Sequence, residues 1–160
     1  MLFVYFLIIN LSVPQESTYK IVNYHARKII YYPRQEKVIL LDSATVKYGE
    51  LKVIADSIEY DISKKTLSAF KNVYFTTATE IIQGQALFYN ITTKKGYMVN
   101  AQTKLENGFV YGENAWLVKT KTLHIRNGYY TTCEHNPPHY YFYSPKSKVL
   151  IDNTAFAEPV

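Results

Sequence analysis

A short strand-like phrase recurs at a nearly fixed interval, and this repeat constrains the fold more than any other feature of the sequence. The phrase has a small residue, two variable positions, an aliphatic residue, one variable position and an aromatic residue. It occupies residues 26–31, 55–60 and 84–89, so successive copies begin 29 residues apart. A degraded fourth copy begins at Gly112, 28 residues after the third. A period of this length is typical of stacked, quasi-one-dimensional folds, in which neighbouring units complete a shared interior.

Within each copy, the aliphatic and aromatic residues stand two positions apart, as Ile58 and Tyr60 do. Side chains at this spacing project from the same face of an extended strand. β-Branched and aromatic residues also suit a pleated, half-buried surface. No window of a dozen residues shows helical periodicity with capping residues. The sequence therefore predicts an all-β chain of stacked antiparallel strands, with about three strands in each repeat of roughly 29 residues.

The composition agrees with this prediction and limits the classes of partner. With 160 residues, the chain is long enough for one domain with a real core. An apolar fraction of 48% excludes wholesale disorder, and 16 tyrosines favour strands over helices. The net charge of +5 permits an anionic partner. The basic residues stand singly along the strands, which argues against a nucleic-acid partner. Lysines on solvated strand faces explain the positive net charge equally well.

An apolar run covers residues 2–13 and is broken by Asn10 and Ser12. It is too short to span a bilayer as a helix, but it fits the hydrophobic region of a signal peptide. Neither a preceding Lys or Arg nor a following Ala-x-Ala site is present. From the length and apolar character of this run, we nevertheless expect residues 1–16 to be a signal or hydrophobic segment of an exported protein, with a buried first strand as the alternative.

Turn signals divide the rest of the chain. Pro33 ends a strand that begins near Tyr19, and polar turns follow Tyr60 and Tyr89. Asn-Gly pairs at 107–108 and 127–128 predict two hairpins. From residue 127 onward the sequence becomes rich in proline and turn residues. We expect repeats over residues 17–126 and a connector over residues 127–160.

Cys133 is the chain's single cysteine. In an exported protein it suggests a partner thiol outside this chain, and the alternative is a small buried thiol. Cys133, His135 and His139 also have a zinc-like spacing, with Glu134 or His124 as a possible fourth ligand. Because only three ligands are apparent and two prolines lie inside the loop, no metal site is predicted.

The sequence makes no case for catalysis. It contains neither a G-x-S-x-G nucleophile elbow nor a G-x-x-x-x-G-K-[ST] phosphate loop. Asp56, Glu59 and Asp61 cluster near a turn, but Glu59 falls on the opposite strand face from its apolar neighbours. Solvated turn carboxylates explain this cluster. We therefore expect no catalytic residues, no cofactor and no enzymatic activity.

The apolar strand face is the candidate binding surface. It is either a simple closed core or the wall of a jelly roll left open along one side, whose interior binds acyl chains. Each buried methylene of a lipid contributes about 0.8 kcal/mol, so several chains could be held along such a wall. The residues expected on this inward face are Ile29, Tyr31, Val46, Ile58, Tyr60, Val73, Phe75, Leu87 and Tyr89.

Several phrases resemble the OstA-like domain of lipopolysaccharide transport proteins, the LptA/LptD superfamily. They are A-x-V-x-Y at 44–48, A-D-x-I-x-Y-D at 55–61, N-V at 72–73 and G-x-x-L-x-Y-N at 84–90. A later phrase, Y-Y-T-T-C-E followed by P-H-Y, resembles the segment that joins this domain to the outer-membrane barrel in LptD proteins. Together these resemblances extend over roughly residues 20–160.

The resemblance implies an open β-jelly roll in the periplasm, fused to an outer-membrane β-barrel that holds a plug lipoprotein. Such a domain passes lipopolysaccharide from a periplasmic bridge to the outer-membrane translocon. Its edge strand would join an LptA-like bridge protein by strand addition. Cys133 would form a disulfide with a cysteine of the barrel, outside this chain.

Two other interpretations stay open on the sequence. One is a soluble, LptA-like periplasmic bridge that binds lipid without a barrel. The other is a structural β-solenoid with a closed core. An open trough should leave apolar side chains exposed along one opening, whereas a closed solenoid should fill every inward position.

Overall fold

The computed structural model describes residues 21–78, 80–105, 107–119, 122–150 and 154–158, and the expected signal segment lies outside them. The described residues form eleven strands and one 3-10 turn, Pro33–Gln35. The strands are β1 (Val22–His25), β2 (Lys28–Tyr32), β3 (Lys37–Tyr48), β4 (Leu51–Asp61), β5 (Thr66–Thr76), β6 (Ile81–Asn90), β7 (Lys95–Leu105), β8 (Gly108–Lys119), β9 (Thr122–Thr131), β10 (Phe142–Leu150) and β11 (Thr154–Ala157). This part of the chain contains no helix long and apolar enough to cross a membrane.

All strands belong to one antiparallel sheet whose order follows the sequence. β1 pairs with the second half of β3, and β2 pairs with its first half, so the two act as one bent strand. The expected strand that ends at Pro33 is this bent strand. At the other end, β10 pairs with β9 and β11 pairs with β10. Among the described residues the first and last strands do not pair, so the sheet is open, as predicted.

Each repeat contains two strands, and the prediction of three was wrong. One 29-residue period is slightly longer than a hairpin such as β4 and β5, whose strands each have 11 residues. The error arose because a point where the chain bends resembles a point where a strand ends. The long strands do not end at mid-length; they change direction there and continue.

Residues with positive φ mark these bends on alternate strands. Asp42 and Ser43 lie in β3, Lys71 and Asn72 in β5, and the remaining two bends contain one asparagine each, Asn100 and Asn127. Register shifts accompany the bends in β3 and β5, which are β-bulges. Asparagine tolerates this left-handed conformation better than most residues because its short polar side chain can bond locally.

The hairpin predicted at the second Asn-Gly pair is wrong, because a bend within a strand can contain the same residues as a hairpin turn. Asn127 and Gly128 lie inside β9, which continues through Thr131, so they form a bend and not a hairpin. The hairpin expected at the first Asn-Gly pair is confirmed, because Leu105 at the end of β7 pairs with Gly108 at the start of β8. A left-handed asparagine serves both purposes, and only the pairing partners distinguish them.

Each of three bends is closed by a hydrogen bond from its asparagine to a side chain of the preceding strand. We call these contacts the corner rungs. Asn72 Nδ2 donates to both carboxylate oxygens of Asp56, at 3.1 and 3.2 Å. The next two rungs join Asn100 Nδ2 to Gln85 Oε1 at 2.8 Å and Asn127 Nδ2 to Glu113 Oε2 at 2.7 Å. The bends therefore recur with about the period of the sequence repeat.

The bends also explain why the repeated phrase opens with a small residue. Gly112 pairs with Gly128 on the inner side of the bend. A Cβ atom on Gly112 would lie 2.4 Å from Ile125 Cγ2, and one on Gly128 would lie 2.6 Å from the same methyl group. The Ile125 methyl group fills the inner side of this bend, so neither glycine position has room for a larger side chain.

The bends divide the sheet into two half-sheets that face each other. Half-sheet A contains β2 and, on each later strand, the segment that continues the pairing from β2. Half-sheet B contains β1 and the segments on the other side of each bend, which continue the pairing from β1. Phe75 of half-sheet B meets Tyr89 of half-sheet A, with ring centroids 5.1 Å apart. A single apolar cluster fills the space between the half-sheets. This is the architecture of an all-β jelly roll, as expected from the sequence.

The polar turns repeat with the same period. In the first, the Asp61 carboxylate accepts hydrogen bonds from the Lys64 backbone N–H at 2.9 Å and from the Ser63 hydroxyl at 2.8 Å. In the next, Asn90 Oδ1 accepts from the Thr93 backbone N–H at 2.8 Å. These side chains satisfy turn backbone groups that the sheet cannot pair. The hydrogen bonds from Lys64 and Ser63 lower the pKa of Asp61 below its ordinary value of 3.8.

We expect Asp61→Asn to reduce the pH dependence of stability in acid. A carboxylate whose pKa is lower in the folded state stabilises the fold above its unfolded pKa, and this contribution is lost as the pH falls through the folded pKa. Asparagine keeps the acceptor, as Asn90 shows, but it does not titrate. Urea unfolding of both proteins between about pH 7 and pH 3 should show their stability difference shrinking toward acid. A difference that stays constant with pH would contradict the assignment.

Candidate functional site

Seven of the nine residues expected on the inward face lie in the interior. They are Val46, Ile58, Tyr60, Val73, Phe75, Leu87 and Tyr89, all buried in the central cluster. Burial raises the pKa of both Tyr60 and Tyr89 above its ordinary value, so these phenols stay neutral throughout the physiological range. The period-two pattern thus placed these side chains on the correct face, and whether they contact lipid stays a prediction.

The other two expected residues, Ile29 and Tyr31, are not buried. They pair with Leu40 and Val38, which lie in the core, so they share the inner face. Their exposed fractions are nevertheless 48% and 54%. β2 lies at an edge of the sheet, and no described strand continues past it to cover these side chains. The interior is therefore apolar and open at this end.

The centre of the interior is nearly filled. Large side chains from both half-sheets meet there, among them Phe75, Tyr89 and Met98, and they leave a cavity of only about 20 Å³. Such a void is too small to contain a ligand, because even a single water needs about 10–15 Å³ of this volume. In this conformation the centre is a packed core.

The interior widens at the end formed by β8 to β11. A cavity of about 220 Å³ lies there between the half-sheets, with Val110, Tyr130 and Phe142 on one wall and Ser147 and Val149 on the other. We call it the C-terminal cavity. Small residues, including Gly128, Ser144 and Ala157, contribute to its lining. The Phe142 ring stands at its mouth and is 74% exposed.

Charged groups are kept out of this interior. Of the described residues, Asp61 is the one buried residue with a formal charge, and it lies in a turn at the end of a strand. Glu59 projects from the outer face, as predicted, and Lys37 Nζ contacts its Oε1 at 2.6 Å. This contact raises the pKa of Lys37. The binding surface can therefore use apolar contact and a few hydroxyls, but not ionic recognition.

Comparison with known proteins bears on the fold. Neither a protein-family profile nor a curated protein matches the chain. Among solved structures, the chain is similar to LptH of Pseudomonas aeruginosa, the LptA-homologous periplasmic component of that organism's lipopolysaccharide transport device. The TM-score is 0.54 at 13% sequence identity, over 61% of this chain and 75% of LptH. The two chains share a fold.

The segment around Cys133 packs against the end of β9. The Cys133 thiol is free and buried, with 9% of the residue exposed, and its Sγ lies 3.6 Å from His139 Nδ1. The His139 and His135 rings are 4.5 Å apart. The described residues nevertheless contain no group of three or more His, Cys, Asp or Glu side chains that could hold a metal ion.

The sequence did not single out the residues of the C-terminal cavity. The sequence predicts a connector from residue 127 onward, whereas in the structure residue 127 lies within β9, and β10 and β11 extend the same sheet. On one wall, Val110 stands between Phe109 and Tyr111, so apolar–polar alternation did not mark it. The other wall was not recognisable, because serine and alanine at inward positions do not produce an apolar pattern.

Proposed function

We propose that the chain is a periplasmic lipid-binding module of lipopolysaccharide transport, of the LptA-like bridge type, and that it has no enzymatic activity. The C-terminal cavity carries this proposal: it is an apolar space between two half-sheets, open at its mouth and free of charged lining residues. The fold shared with LptH, a component of a lipopolysaccharide transport device, supports it. In this proposal the ligand is the acyl portion of lipopolysaccharide.

The cavity is large enough for part of an acyl chain. An apolar cavity of about 150 Å³ stays dry and binds benzene, and the C-terminal cavity has about 220 Å³. A segment of about six methylenes buried there would gain roughly 5 kcal/mol before the entropy of binding is subtracted. A longer chain would require Phe75, Tyr89 and Met98 to separate, so the half-sheets must open for lipid to pass along the interior.

The ends of the sheet fit the proposed assembly with neighbours. β2 exposes Ile29 and Tyr31 on its inner face, and β11 exposes Phe156 at the opposite edge. An edge strand with exposed apolar side chains is a ready template for addition of a partner strand. An LptA-like bridge protein added at either edge would prolong the apolar interior, and one added at β2 would cover Ile29 and Tyr31.

The LptD-like alternative has one observation in its favour, the Y-Y-T-T-C-E and P-H-Y phrases around Cys133. In that alternative residues 127–160 lead to an outer-membrane barrel with its plug lipoprotein, and Cys133 pairs with a barrel cysteine. Because Cys133 is buried against His139, the segment would have to move before its thiol could reach a partner. The nearly filled centre favours a third alternative, a closed structural scaffold.

Photocrosslinking tests the proposal at three positions. A benzophenone amino acid replaces Phe142 at the mouth of the cavity, Leu87 in the centre and Phe88 on the outer face, and purified lipopolysaccharide is added. Leu87 and Phe88 are neighbours on β6 that face opposite ways, so they form a matched pair. Adducts at 142 and 87, with none at 88, are expected of a conduit. An adduct at 142 alone would indicate a local lipid site, and none at all would favour the closed scaffold.

Ser147→Phe should weaken this binding by about tenfold or more, equivalent to at least about 1.4 kcal/mol. Ser147 lies on the wall of the C-terminal cavity, where a phenylalanine ring would occupy the space of the ligand. Ser68→Phe is the control, because Ser68 pairs with Phe88 on the outer face and the added ring projects away from the interior. Equal binding by both folded variants would place the ligand elsewhere.

A further inference from the structure

A polar groove of about 470 Å³ lies on the outer surface where β5, β6 and β7 bend. Gln83 pairs with Gln102 on one side and with Tyr74 on the other. The next residue of each strand faces inward, so these three side chains project from the outer face. None of its lining residues carries a formal charge. The side chains are five amides and one phenol: Asn72, Gln83, Gln85, Asn100, Gln102 and Tyr74.

We propose that this groove, which we call the amide groove, binds an uncharged carbohydrate. Each amide offers both a donor and an acceptor, which is what a ring of hydroxyl groups requires. The Tyr74 ring is 43% exposed and presents an apolar face beside these amides, where the C–H face of a sugar can pack. The groove is on the outside of the sheet, so this inference goes beyond the interior lipid site and does not rest on it.

Several amide atoms in the groove are available to a ligand. The corner rung of Asn100 uses its Nδ2 and the Gln85 Oε1, which leaves Asn100 Oδ1 and Gln85 Nε2 available. Gln102 Nε2 donates to the Tyr111 hydroxyl at 3.1 Å, which leaves its Oε1. Gln83 makes no side-chain hydrogen bond within the described part of the chain. The groove therefore offers both acceptors and donors, and a corner rung holds Asn100 and Gln85 in place.

The backbone pairing is interrupted at the same place. The ladder between β6 and β7 stops at Gln83 with Gln102 and resumes at Ala86 with Val99, so two successive pairs are omitted. At the next bend, between β7 and β8, a single pair is omitted. The groove therefore coincides with a wider interruption of the sheet than the bend that follows it.

The charge of the corner rungs also distinguishes this site. The rungs on either side contain carboxylates, Asp56 and Glu113, whereas the rung in the groove contains the neutral Gln85. The Asp56 carboxylate lies behind Asn72, at one end of the groove, where it would repel an anion. A neutral sugar fits this environment better than a phosphate or a uronic acid.

Nuclear magnetic resonance of the full chain tests this proposal directly, because the side-chain NH₂ groups of the groove give their own signals. The ¹⁵N-labelled protein is titrated with maltotriose, cellotriose and chitotriose, and separately with trigalacturonate as an anionic probe. We expect saturable shifts of the Gln83, Gln85 and Asn100 amide signals with at least one neutral trisaccharide, at millimolar concentration, and much weaker shifts with trigalacturonate.

Two variants and a control complete the experiment. Tyr74→Ala and Gln83→Leu should each weaken binding about fivefold, the effect of losing one net contact of about 1 kcal/mol. Glu113→Gln makes the next rung neutral outside the groove and should leave binding unchanged. The proposal is overturned if no neutral trisaccharide shifts these amides or if trigalacturonate shifts them equally. Shifts confined to the Trp116 indole on half-sheet A would overturn it as well.

Discussion

Replacing Phe75 with alanine is expected to lower the free energy of unfolding by about 3–5 kcal/mol. The Phe75 side chain is buried where the two half-sheets meet and packs against Tyr89. Its loss would leave a cavity in a centre that otherwise has only about 20 Å³ of free space. Because domains are stable by only about 5–15 kcal/mol, urea denaturation should show the midpoint falling to a fraction of its original value.

Phe70→Ala is the matched control for this substitution. Phe70 lies on the same strand as Phe75, but it projects from the outer face, is 39% exposed and contacts Phe88 edge to face. Truncation there removes one cross-strand aromatic contact, worth about 1 kcal/mol or less. If both variants lost stability equally, the two half-sheets could not be packed against each other as described.

Replacing Gly112 with alanine is expected to cost about 1–3 kcal/mol by overpacking the bend. The new Cβ would lie 2.4 Å from Ile125 Cγ2, a methyl group close to the backbone that cannot swing away. Gly84→Ala, at the same place in the preceding repeat, should cost less. There the nearest atoms are the Cγ and Sδ of Met98, at 2.6 Å, and a methionine side chain can change rotamer.

A double-mutant cycle identifies the cause of the Gly112 effect. The space taken by the new methyl group is vacated in Gly112→Ala, Ile125→Ala, so the double variant should be more stable than the sum of the single effects by about 1 kcal/mol or more. Strict additivity would mean that the alanine acts through the backbone and not through the contact with Ile125. Thermal or urea unfolding of the four proteins supplies the measurement.

The sequence was sufficient to predict the class of fold and most of the core. Alternation of side chains along a strand is a local property, so Ile58, Val73 and Leu87 could be assigned to the inner face from their spacing alone. The 29-residue period also located the repeating unit, and the polar turns at Asp61 and Asn90 followed from residue type.

The candidate site was only partly predictable. Alternation gives the face of a side chain, but not what covers that face. Ile29 lies on the inner side and is nevertheless half exposed, because β2 is an edge strand. The C-terminal cavity is lined by residues of four strands, β8 to β11, and the amide groove brings Asn72 and Asn100 together from separate repeats. Neither grouping is visible along one strand.

The sequence by itself thus determined the β class and the inner and outer faces, since these depend on residues one to four positions apart. It also determined the repeat, since copies 29 residues apart can be compared directly. The tertiary structure alone decided that each repeat holds two bent strands, because a left-handed asparagine such as Asn127 can end a strand or bend it, and the pairing partner selects between them. It also decided where the interior is filled and where it is open. That depends on which side chains meet across the half-sheets, and such contacts join residues far apart in the chain.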